Sequence, residues 1–150
     1  MQTLAAVIIL IANLTYYNPE LCTQGDTLAH RINCLNPATW WQMGAGTDAR
    51  HWYGRALACP AEFAIGSTWR LPGVRGDKYY PAADWMCLDR GGRINTTILS
   101  DGTIRVALDL LSAHRIVGGA ARVQYLGPLP YALLARVQVL RESCFGKARC

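Results

Sequence analysis

The segment Cys87-Leu-Asp-Arg-Gly-Gly-Arg-Ile94 places one carboxylate, Asp89, between a hydrophobic run and a glycine turn. A second carboxylate, Asp109, ends the run Ile104-Arg-Val-Ala-Leu-Asp109. Two carboxyl groups brought together can do acid–base work, provided burial or a like charge raises the pKa of one of them. Asp89 is the first candidate acid and Asp109 its neighbour and perturber. Glu62, in the loop before Gly66, is a weaker third. Arg90 and Arg93 flank the same turn and suit an anionic substrate, although a guanidinium beside Asp89 would lower its pKa. Trp40-Trp41 can stack on sugar rings or close over the core. The structural alternative is equally concrete: Asp89 bonds to N–H groups of the Gly91-Gly92 turn, and Asp109 caps a helix that begins at Leu110.

Other chemistries find little support. His51 stands beside Trp52-Tyr53, and His30 and His114 have no evident partners. A site built from His51, Asp89 and Asp109 is conceivable, but an isolated histidine among aromatics is more often a packing residue, so neither a metal nor a cofactor is expected. No serine–histidine–aspartate order and no phosphate-binding loop occurs. Asn13-Leu-Thr15 and Asn95-Thr-Thr97 match the glycosylation triplet, a pattern that chance supplies often.

The elements that must position these groups belong to one domain spanning residues 1–150. The composition is globular, with 51% hydrophobic and 17% charged residues. The net charge of +5 comes from arginines spread along the chain. It forms no nucleic-acid-binding tail and suits anionic polymers. Six cysteines, Cys22, Cys34, Cys59, Cys87, Cys144 and Cys150, lack C-x-x-C spacing. They read as disulfides, and hence as an extracytoplasmic location (secreted, cell envelope or virion), with connectivity open. By nearness, Cys22 pairs with Cys34 and Cys144 with Cys150. The apolar run 4–12 is too short to span a membrane. Residues 1–13 are read as a buried first strand or an uncleaved signal-like segment.

Along the chain the pattern predicts a strand through Tyr17, then irregular loops over 20–50 with a short helix near 37–42. Strands follow at 55–59, 67–71 and 84–88. A hairpin joins 94–100 to 103–109 through Asp101-Gly102, a two-residue turn that wants positive φ at both positions. A short helix is expected over 108–115. Two near-copies, Ala121-Arg-Val-Gln-Tyr-Leu126 and Ala135-Arg-Val-Gln-Val-Leu140, alternate as paired strands should. About seven strands with one or two short helices argue a closed barrel.

Three pieces in order, Ala58-Cys-Pro-Ala-Glu-Phe-Ala-Ile-Gly66, Cys87-Leu-Asp-Arg-Gly-Gly-Arg-Ile94 and Ile104-Arg-Val-Ala-Leu-Asp-Leu-Leu-Ser112, resemble the double-psi β-barrel families: the three-aspartate domain, rare lipoprotein A, barwin and expansin. Leu14-Thr-Tyr-Tyr-Asn-Pro19 is similar to their first strand. The resemblance covers most of residues 14–140 and implies an all-β, six-stranded double-psi barrel with disulfide-tied loops. It places Asp89 and Asp109 in one groove. Cys59 stands where the three-aspartate domain has its third aspartate, and a Cys59–Cys87 disulfide is the use the resemblance implies. It further implies binding to peptidoglycan or another anionic glycan, and lytic transglycosylase-like cleavage in which a groove acid protonates the glycosidic oxygen. The alternative is a non-catalytic module of a phage virion or surface assembly, joined to its neighbours through exposed strand edges.

Overall fold

The structure is a computed structural model that describes residues 7–18, 42–91 and 94–144. It is mostly strand: β1 (Val7–Tyr17), β2 (Ala56–Ala58), β3 (Thr68–Leu71), β4 (Ala83–Asp89), β5 (Thr96–Ile98), β6 (Ile104–Leu111) and β7 (Gly119–Leu126), followed by one helix, α1 (Tyr131–Cys144). The sheet runs β1-β7-β3-β4-β2-β6, and a β1–β6 pairing closes it into a six-stranded mixed barrel; β5 is added on β6 beside β2. Two pairings are parallel, β1 with β6 and β2 with β4. Closure leaves the six barrel strands without a free edge.

Alternation explains how β1 and β6 serve this barrel. Leu10, Ala12 and Leu14 of β1 face inward and are buried, while Ile9 and Asn13 on the alternate face are exposed. Ile104, Val106, Leu108 and Leu110 do the same for β6. The interior is filled by Trp69, Trp85, Phe63, Leu57, Leu71 and Val123. Phe63, Trp69 and Tyr125 form a tilted aromatic cluster with ring centroids 4.7–5.0 Å apart, a spacing aromatic pairs favour. The expected Cys59–Cys87 disulfide is present, with Cα atoms 5.7 Å apart, and ties the end of β2 to β4 inside the core.

Three local expectations are overturned. Residues 108–111 are strand rather than helix. Leu14 to Tyr17 pair with Leu108 to Leu111 on one edge, and Leu57 and Ala58 pair with Leu110 and Asp109 on the other. Long-range pairing outweighs the local preference of a leucine-rich run, and Asp109 caps no helix. Residues 135–140, expected as a strand, lie in α1. Strand β7 already has β1 on one edge and β3 on the other, so it has no edge left for its near-copy. The helix instead buries Leu133 and Val137, one turn apart, against the barrel and leaves Val139 64% exposed. The Pro130 carbonyl accepts the first helical N–H bonds, from Leu133 and Leu134. The β5–β6 hairpin stands, but its turn differs. Among residues 100–102 only Gly102 has positive φ, at 85°, and the Asp101 carboxylate accepts the Thr103 N–H at 2.8 Å. Leu99 accepts from Gly102 and donates to Thr103, giving a three-residue turn with a glycine bulge.

Candidate functional site

The site begins with an irregularity. Strands β2 and β4 pair Ala56 with Met86 and Leu57 with Cys87, and then shift so that Ala58 meets Asp89. This β-bulge changes the strand's parity. Cys87 points into the core toward its disulfide partner, Leu88 packs outside against Met43 and Leu111, and Asp89 follows Leu88 to the outer face. On its other edge Ala58 pairs with Asp109. The two carboxylates therefore flank one small alanine, each a strand's width away, about 5 Å.

Strand β1 supplies a hydroxyl to each acid. Thr15 lies in register with Asp109, and its hydroxyl donates to Asp109 Oδ1 at 2.8 Å. Two residues on, the Tyr17 hydroxyl donates to Asp89 Oδ2 at 2.9 Å. Asp89 Oδ1 also accepts the Gly44 N–H at 2.8 Å and the Arg90 N–H at 2.9 Å. Gly44 belongs to a loop folded by the Gln42–Asp48 bridge, and Ala45 donates to the Leu88 carbonyl. That loop lies against the outer face through Met43, Ala49, Trp52 and Tyr53. It covers the Asp89 end of the pair, and both acids remain half-buried.

The electrostatics of the site act on Asp109 and Tyr17. Desolvation raises the pKa of Asp109; the Thr15 hydrogen bond opposes this, and the Asp89 charge adds to the rise. Tyr17 is pushed well above the usual phenol range, first by burial and then by the Asp89 charge and hydrogen bond, so it stays a donor. Asp89 is held by three hydrogen-bond donors, and Asp109 by the Thr15 hydroxyl.

The remaining sequence candidates scatter. Arg90, expected beside substrate, turns its guanidinium onto the Cys59, Pro60 and Phe63 carbonyls at 3.1, 2.7 and 2.5 Å. It clamps the loop after β2, and no ion pair joins it to Asp89 among the described residues. Glu62 accepts from Thr96 Oγ1 and lies 3.9 Å from Arg136, on the side of β5 and α1. Among the described residues the backbone donors to Asp89 are Gly44 and Arg90, where the Gly91-Gly92 turn was expected to supply them. Trp40, Trp41, Arg93, Gly92, Cys22, Cys34 and Cys150 lie outside the described residues, as does the side chain of Cys144. Among the described residues no group of three His, Cys, Asp or Glu side chains is placed to hold a metal ion.

Sequence reasoning placed Thr15 and Tyr17 in the first strand and gave neither a role at the carboxylates. The available signal was a pair of hydroxyls at i and i+2 on an otherwise apolar strand. Gly44 carried no signal, because its role depends on a loop fold. Against known proteins, no family model, no curated protein and no solved structure matches the chain.

Proposed function

We propose that this chain is a double-psi-type barrel of the cell envelope or extracellular space that cleaves a peptidoglycan-like glycan by a lytic transglycosylase route, with Asp109 as the working acid. The carrying observation is the unequal treatment of two carboxylates on one face. Asp89 is held by three donors. Asp109, desolvated and facing the Asp89 charge, has its pKa raised, which is the direction a proton donor needs. In the proposed step Asp109 protonates the glycosidic oxygen as the bond to the anomeric carbon breaks. The sugar's 6-hydroxyl then bonds to that carbon and returns its proton to Asp109. Asp89 opposes the positive charge developing on the ring.

The interlocked parallel pairs β1–β6 and β2–β4 are compatible with the double-psi topology, and the bonded Cys59–Cys87 pair fits an oxidising compartment. No helix among the described residues is long and apolar enough to cross a membrane.

A second reading has its own support. The three bonds on Asp89 also fasten β1, β4 and the 42–48 loop together, which is what a structural tie does. Strand β5, paired on one side only among the described residues, offers an edge for assembly. In that reading the chain is a non-catalytic virion or surface module. Incubation with purified peptidoglycan separates the two. The enzyme releases soluble fragments, at a rate that falls as the pH rises through the Asp109 pKa. The module releases none and is instead recovered in ordered assemblies.

A further inference from the structure

A second feature lies away from the carboxylates, where the chain folds back between Val74 and Tyr80. We propose that the recess lined by Arg75, Gly76 and Tyr79 is a binding subsite for an acidic sugar, with the Tyr79 ring against the sugar face and the Arg75 guanidinium on its carboxylate or phosphate. The recess has a volume of about 390 Å³ and opens to solvent. Its walls are fixed by backbone. Val74 and Tyr80 exchange two hydrogen bonds of 2.9 Å, Val117 donates to the Arg75 carbonyl at 2.7 Å, and Asp77 donates to the Arg115 carbonyl at 2.9 Å. Gly76 is required for that approach, since a Cβ there would stand 1.9 Å from the Arg115 carbonyl oxygen.

The two side chains are presented rather than stored. Tyr79 is 59% exposed, yet its hydroxyl sits tightly over Gly73, where a Cβ would come within 2.3 Å. An exposed aromatic ring whose hydroxyl rests on the backbone offers its face to a sugar. Arg75 is exposed and has no side-chain ion pair or hydrogen bond among the described residues. The nearby acid, Asp77, pairs with Arg115 at 3.3 Å, and no ion pair joins it to Arg75 among the described residues. The Lys78 ammonium, 5.3 Å from the Tyr80 ring centre, adds positive potential. A planar guanidinium matches carboxylate and phosphate oxygens in pairs. The recess is also anchored at the residue that follows β6: the Tyr80 hydroxyl bonds to Ser112 Oγ at 2.9 Å. Acidic-sugar binding goes beyond glycan cleavage and holds whether or not the carboxylate pair is catalytic.

Calorimetry on the full chain tests it with three probes: tetragalacturonate, a phosphorylated maltotetraose and neutral maltotetraose. One acidic probe is expected to bind at least about tenfold tighter than the neutral one, and which of them does so separates carboxylate from phosphate recognition. Arg75→Gln should weaken that binding about tenfold, and Tyr79→Ala about fivefold. Arg122→Gln, which removes the same charge from β7, should leave it unchanged. Equal affinity of wild type and Arg75→Gln, equal binding of neutral and acidic probes, or no binding of either acidic probe would each overturn the subsite. Loss with Arg75→Gln but not with Tyr79→Ala would overturn its assignment to a sugar.

Discussion

At the scale of single residues, Thr15, Tyr17, Asp89 and Asp109 divide one job among three strands. A carboxyl whose pKa is raised on folding favours the folded state while protonated and loses that contribution as the pH climbs through the folded value. Desolvation and the Asp89 charge place Asp109 in this class. Asp109→Asn, which mimics the protonated form, is therefore expected to raise the melting temperature at pH 7 by about 1–3 °C. The gain should vanish in acid, where the wild-type carboxyl is itself protonated, and a gain independent of pH would contradict the assignment. Tyr17→Phe leaves one acceptor of Asp89 without its donor and should lower the unfolding free energy by about 1–2 kcal/mol in urea titrations. The acids themselves were legible in the sequence, because carboxylates bounding hydrophobic runs stand out. Their sorting was not, since it depends on a bulge and on a loop glycine more than forty positions from Asp89.

Among the elements, local signals and long-range pairing carried different weight. The β5–β6 hairpin was visible from Asp101-Gly102, because a turn is decided by the residues in it. The end of β6 and the helix α1 were not, because partners far along the chain decide them. The repeated Ala-Arg-Val-Gln segment becomes strand in β7 and helix in α1. Its second copy satisfies both periods, and the strand reading would have put Val137 and Val139 on one face. Helical packing separates them. Leu133→Ala should cost about 2–4 kcal/mol as a core truncation, whereas Val139→Ala should stay within about 0.5 kcal/mol. Comparable losses at the two positions would contradict the orientation of the helix. The disulfide joins β2 and β4 across 28 residues. The joint change Cys59→Ala, Cys87→Ala should lower stability by about 3–4 kcal/mol in chemical denaturation, as loop-closure entropy predicts. A loss below 1 kcal/mol would show that the Arg90 clamp and the aromatic core alone hold these strands.

For the whole molecule, closure of the barrel turns distant segments into one surface. β1, β6, β2 and β4 lie side by side, so Thr15, Asp109, Ala58 and Asp89 form a row across four strands that the chain visits in a different order. The loop at 42–48 and the segment through Tyr53 add a second apolar layer outside that row, which desolvates one end of it. Barrel class was legible from seven short strands and closely spaced turns; which face carries the chemistry was not. The decisive measurement is the end group of the fragments that the protein releases from purified peptidoglycan, read by mass spectrometry for wild type and Asp109→Asn. Acid catalysis at Asp109 predicts 1,6-anhydro ends from wild type and at least about a hundredfold less product from the variant. No release by wild type anywhere between about pH 4 and pH 8, or equal release by both proteins, would contradict it.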